Sequence, residues 1–231
     1  MSWFTDLTRS AVGKKAVMAV TGIILFGFVL IHMIGNLKLY GGKDAEGVYH
    51  LDSYGGWLRE MGSPAVPHSG LLWIARLVLL ASVVLHIWSS WAVTRMSRDA
   101  RPHAYAKRKP VRMTYASRTM RWGGVIILLF VIYHLLHFTT GNVHPDFREG
   151  AVFHNVVTGF QNPLVSLFYI VANVALGFHL YHGLWSLFQS LGWNHPRFNH
   201  WRRGFAHAFA WIVTLGNISF PLAVLAGIVR L

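Results

Sequence analysis

Seven histidines, His32, His86, His134, His137, His179, His182 and His207, stand inside or at the edge of long apolar stretches, and each such stretch holds at least one. An ionisable ring in hydrocarbon is unfavourable, and residues of this kind mark cofactor, ion or proton sites. A neutral imidazole is also a common metal ligand. The rest of the composition narrows the metal chemistry. The chain has no cysteine, which excludes disulfides, thiolate-ligated iron–sulfur clusters, cysteine-type zinc sites and covalently attached c-type haem. Only 8 acidic residues stand against 21 Lys and Arg, and they are scattered. Neither a carboxylate-held metal centre nor a two-carboxylate hydrolase site is expected, so histidine is the main ligand type left.

The elements that must position these rings are membrane helices. Of 231 residues, 54% are hydrophobic and 13% charged, too apolar for an ordinary soluble domain of this length. The expected fold is a single all-α domain over 1–231, a bundle of five transmembrane helices in the lipid bilayer. Five runs are long enough for a hydrocarbon core of ~30 Å, which needs about 20 helical residues. They fall at 16–37, 69–96, 119–140, 163–191 and 205–229. The first lies too far from the terminus, and lacks the small-residue site, for a cleaved leader. Pro163 suits a first helical turn, Gly141 and Gly192 suit helix ends, and Pro221 is expected to kink the last span.

Charge orients the bundle. Arg9, Lys14 and Lys15, nine Lys or Arg between Arg95 and Arg121, and Arg197, Arg202 and Arg203 fall on one side. The other side holds Asp44, Glu46, Asp52, Glu60, Asp146 and Glu149, six of the eight acids. The amino terminus is therefore expected in the cytoplasm and the carboxyl terminus outside, in a multi-pass protein of the cell's inner (plasma) membrane. The basic face suits anionic lipid or a docked partner. Nucleic-acid binding is not expected, because the positive charge is divided among short connections.

Orientation turns spacing into depth at 1.5 Å per residue. His32 lies five residues before the end of the first run and His134 six before the end of the third, so both sit roughly 8 Å below the outer end. His86 and His179 lie 17 and 16 residues in from the outer ends of the second and fourth, roughly 25 Å down. Two parallel helix pairs, each with imidazoles at a matched depth, are what bis-histidine ligation of two stacked b-type haems requires. Helix bundles hold cofactors this way, between facing helices. Gly27 and Gly35 beside His32, and Gly177 and Gly183 beside His179, are expected to let a flat macrocycle approach. Interhelical hydrogen bonding is the competing use of each ring. His137 and His182 follow His134 and His179 by three residues on nearly the same face, as rival ligands or as partners of a haem propionate or a ligand. His207, at the start of the last run, is expected beside a propionate or at an interface.

The most specific residues are Ile31-His32-Met33 with Gly35-Asn36-Leu37, Leu85-His86, Arg121-Trp122-Gly123 leading to Tyr133-His134-Leu135, and Phe178-His179-Leu180-Tyr181-His182-Gly183-Leu184-Trp185. With these the chain resembles the di-haem cytochrome b membrane anchor of succinate dehydrogenases and fumarate reductases, in its single-polypeptide, five-helix form. The resemblance implies one haem between the first and third helices and another between the second and fourth. By the Gly-Leu-aromatic step it implies His179 as the fourth-helix ligand, and it favours His134 in the third. It further implies a non-catalytic electron-transfer subunit that carries a flavoprotein with FAD and an iron–sulfur subunit on the cytoplasmic face. Electrons would pass to or from a membrane quinone, usually menaquinone, with higher oligomers of the whole complex possible.

For the quinone, Arg76 is the one charged residue within a run core, about 10 Å below the outer end. It is expected to pair with a propionate or orient the quinone, or else to snorkel outward. Glu60, His68 and Tyr40 are candidates for exchanging quinone protons, and Trp73 for stacking. Trp57, Trp73, Trp122 and Trp201 suit the interfacial belt. The alternatives are a cytochrome b of a hydrogenase or formate dehydrogenase, and a haem-free histidine transporter, against which stands the lack of paired intramembrane carboxylates.

Overall fold

A computed structural model describes residues 9–100, 115–193 and 195–231. Among them, apart from one isolated bridge between Lys43 and Tyr49, the regular elements are helical. The α-helices are α1 (Ala11–Asn36), α2 (His50–Glu60), α3 (Gly70–Asp99), α4 (Tyr115–His134), α5 (Val152–Phe160), α6 (Pro163–Ser190) and α7 (Asn199–Leu225). A π turn, Leu135–Thr139, extends α4. Five helices, α1, α3, α4 with its π turn, α6 and α7, are long and apolar enough to cross a membrane. The chain is an all-α, multi-pass membrane protein. The connection at 101–114, which carries His103 and much of the basic cluster, lies outside the described residues.

Local chemistry sets the helix ends. Ser10 Oγ accepts from Gly13 N at 3.0 Å and starts α1, five residues before the apolar run begins, since a helix can continue beyond hydrocarbon. Asn162 Oδ1 accepts from Leu164 N at 3.0 Å, with Pro163 in the first turn of α6. Gly141 and Gly192 follow the helix ends with φ of 73° and 78°, a left-handed turn in which a Cβ would be strained. The last span starts at Asn199, earlier than the apolar run, because Arg202 is buried and donates to Trp193 O at 3.2 Å and to Asn199. Pro221 sits inside α7 without ending it.

The two connections rich in acids each fold into a short helix, α2 and α5, which hydropathy does not foresee because neither is long enough to span. They lock together: the Tyr49 and Phe153 rings stack at 3.6 Å, and Phe153 N donates to Asp52 Oδ1 at 2.7 Å. Leu39, Leu51, Phe153, Val157 and Phe160 close this end over Tyr169 and Phe220. It is called the capped end here, and the opposite one, with exposed Arg121, Arg197 and Arg203, the basic end.

Helix α6 is central, lying along α4 on one side and α7 on the other, while α1 runs along α3. The two groups meet where α1 touches α6 and α7. Gly177 receives Thr214, and Gly216 receives Met33, so these contacts are close because a Cβ is missing. By contrast, α1 with α4, and α3 with α6, make scarcely any backbone-level contact.

Candidate functional site

The helices that stand apart are the ones that carry facing histidines. Near the capped end, His32 of α1 lies four residues before Asn36, and His134 is the last residue of α4. Their ring centres are 5.9 Å apart with planes at 87°. Phe28 stacks on His32 at 5.3 Å and Phe130 lies 5.8 Å from His134. His134 Nδ1 is 3.4 Å from the Tyr169 hydroxyl.

Deeper in the bundle, His86 of α3 faces His179 of α6 at 6.3 Å between ring centres. Each lies sixteen residues from its helix start, Gly70 or Pro163, and so roughly 24 Å from the capped end. His86 Nδ1 is 3.1 Å from Met18 O and 3.2 Å from Thr21 Oγ1, whose own proton goes to Val17 O at 2.8 Å. A carbonyl only accepts, so Nδ1 carries the proton and Nε2 holds the free lone pair. Metal-binding histidines are commonly oriented in this way. The buried Nδ1 atoms of His179 and His182 have no hydrogen-bond partner among the described residues.

These distances test the fit to a metal. With a metal–nitrogen bond of about 2 Å on each side, and roughly 1 Å from ring centre to nitrogen, two imidazoles sharing one metal have centres roughly 6 Å apart. Both pairs meet that spacing. Among the described residues no group of three or more His, Cys, Asp or Glu could hold a metal ion. Each pair thus offers two imidazoles, a donor set that fits the iron of b-type haem. The glycines need correction: Gly35 is filled by the Tyr54 ring and Gly177 by Thr214, both serving helix packing. Gly27 has nothing within 4 Å of a built Cβ, and Gly183 only Met120 at 3.9 Å. Two further glycines border the deeper pair: a Cβ built on Gly22 would lie 3.5 Å from His86 Cε1, and one on Gly124 would lie 3.8 Å from His179 Cε1.

His137, on the π turn, lies fully buried against α5, where a Cβ on Gly159 would come 2.8 Å from its Cε1, and like His134 it reaches the Tyr169 hydroxyl. Its Nδ1 is 3.1 Å from the Tyr169 hydroxyl, and its ring stacks on His144 at 4.8 Å. His144 donates from Nε2 to Asn155 O at 2.8 Å and accepts from Asp146 N at 3.1 Å. The Asp146 carboxyl is held below the usual aspartate range by its hydrogen bond from His154 at 2.8 Å, helped by Arg148 at 3.1 Å. Tyr169, His144 and His154 escape a sequence reading, since a tyrosine in an apolar run and histidines in polar connections carry no signal of their own.

The remaining candidates are dispersed. His182 is half-buried, with its ring 6.1 Å from Trp185. His207 is exposed, 4.1 Å from the Tyr181 ring. Arg76 lies over Trp73 at 4.8 Å, both exposed. His68 and Glu60 pair at 2.6 Å on the surface, and the Tyr40 hydroxyl donates to Ser219 at 2.7 Å. A cleft of about 440 Å³ opens at the capped end between Lys38, His50, Ser53, Tyr54 and Trp57.

A family model described as the succinate dehydrogenase/fumarate reductase transmembrane subunit matches residues 94–218, more than half of the 231 residues. The match includes His134 and His179, while His32 and His86 precede it. No curated protein and no solved structure matches the chain.

Proposed function

From the premise that the chain belongs to the succinate dehydrogenase/fumarate reductase transmembrane subunit family, we propose that it anchors the catalytic subunits and conducts electrons between them and a membrane quinone. Two b-type haems would be held, one by His32 and His134 and the other by His86 and His179. The observation that carries this reading is the pair of imidazole couples, at 5.9 and 6.3 Å, between helices that stand apart. Haem iron supplies one-electron chemistry when bound. The chain's part is to present Nε2 lone pairs at two depths, fix ring orientation through Met18, Thr21 and Tyr169, and exclude water with the apolar walls of α1, α3, α4 and α6.

By the positive-inside rule the basic end faces the cytoplasm and receives the iron–sulfur and flavoprotein subunits, which would carry the clusters and FAD. The capped end then lies outside. There we propose that the quinone, menaquinone in keeping with the di-haem resemblance, meets the cleft formed by Tyr54, Trp57, Lys38 and His50. Glu60 and His68 form a nearby carboxylate–imidazole pair that can exchange a proton with water, and Arg76 over Trp73 would orient the headgroup.

The test is the reduced-minus-oxidised spectrum and haem content of the purified complex. Two haem b per chain are expected, and a haem-free complex would refute the reading. His32→Ala and His179→Ala are each expected to remove a different haem, and retention of both in His179→Ala would move the ligand to His182.

A further inference from the structure

A hydroxyl held between two imidazoles decides which way their protons point, and Tyr169 is such a hydroxyl. It is buried on α6, with its oxygen 3.4 Å from Nδ1 of His134 and 3.1 Å from Nδ1 of His137. A phenol has one proton, so it donates to one ring and accepts from the other. If it donates to His134, the proton of that ring sits on Nε2 and the ring cannot bind a metal there. If it accepts from His134, Nε2 is bare.

Resting on the proposal that His134 binds iron, we infer that Tyr169 is a positioning residue that accepts the Nδ1 proton of His134 and donates its own to His137. His137 belongs to the same device, because it must present a bare Nδ1 to take that proton. The π turn aims its ring, His144 stacks on it and Gly159 closes over it, so it is held at Tyr169 with no solvent to compete. In the deeper pair His86 is fixed without a hydroxyl, being tied to the Met18 carbonyl, which can only accept.

An acceptor on Nδ1–H makes a ligating imidazole more electron-rich and lowers the potential of its metal. Tyr169→Phe in the assembled complex is therefore expected to move one haem midpoint to a more positive value, the haem that His32→Ala removes, and to leave the other where it was. His137→Phe should shift the same midpoint in the same direction, since the phenol loses its acceptor. His137→Gln should restore it, because an amide oxygen can take the phenolic proton. Spectroelectrochemical titration of the three variants reads all of this. Selective loss of the capped-end haem in Tyr169→Phe would support the same role. Unchanged midpoints, or equal shifts of both, would overturn the inference while leaving haem ligation intact. A haem-free parent complex would overturn the ligation proposal and this inference with it.

Discussion

Gly159 shows how a single missing Cβ supports the capped-end histidines. Gly159→Ala would put a methyl 2.8 Å from His137 Cε1 and 3.0 Å from Phe138 Cε1. Both rings are hemmed in, so overpacking of about 1–3 kcal/mol is expected, read as a lower midpoint in thermal denaturation. Asp146 makes a separate, pH-dependent contribution at the surface. Its folded pKa is depressed, first through the His154 hydrogen bond, so its contribution is complete above the ordinary aspartate value of 3.8 and is lost as pH falls through the lower folded value. The stability difference between the parent chain and Asp146→Asn should therefore shrink as pH falls below 3.8. A difference that stays constant as pH is lowered through that range would rule out this assignment.

At the level of elements, the cap hangs on few contacts. Asp52→Ala leaves Phe153 N without its acceptor at the start of α5, at a cost of about 1–3 kcal/mol. Hydrogen exchange should accelerate over 152–160 and stay slow in the middle of α6; equal acceleration in both would mean that the cap is not a separate unit. The five spans were legible from length and hydropathy, and the nearness of His32 to His134 and of His86 to His179 could be anticipated because helix rise converts residue number into depth. Other features were not. A π turn changes rotation without changing hydropathy, so the direction of His137 is hidden. A glycine announces close approach but not what approaches, so the partners of Gly35 and Gly177, Tyr54 and Thr214, emerge only from the packing. The short helices α2 and α5 lie in polar connections whose folding depends on contacts between two segments about a hundred residues apart.

For the whole molecule, the absence of cysteine makes orientation directly measurable. Glu149→Cys and Arg197→Cys place single thiols on exposed positions at opposite ends. A membrane-impermeant maleimide applied to intact spheroplasts should label the first and spare the second, and the reverse pattern would invert the topology. The weak contact between α1 and α4, and between α3 and α6, bears on biogenesis. Helices in lipid gain little from mutual apolar contact, so little within the chain itself sets those two spacings. On the proposal that each imidazole pair holds a haem, insertion and maturation would be separate events: spans could enter the bilayer one by one, while the finished arrangement would wait on delivery of the haems. In cells starved of haem precursor, pulse-chase labelling should show the chain made at its usual rate, inserted, and then cleared by membrane proteases. Supply of pigment, rather than translation, would set how much of the complex a cell can keep.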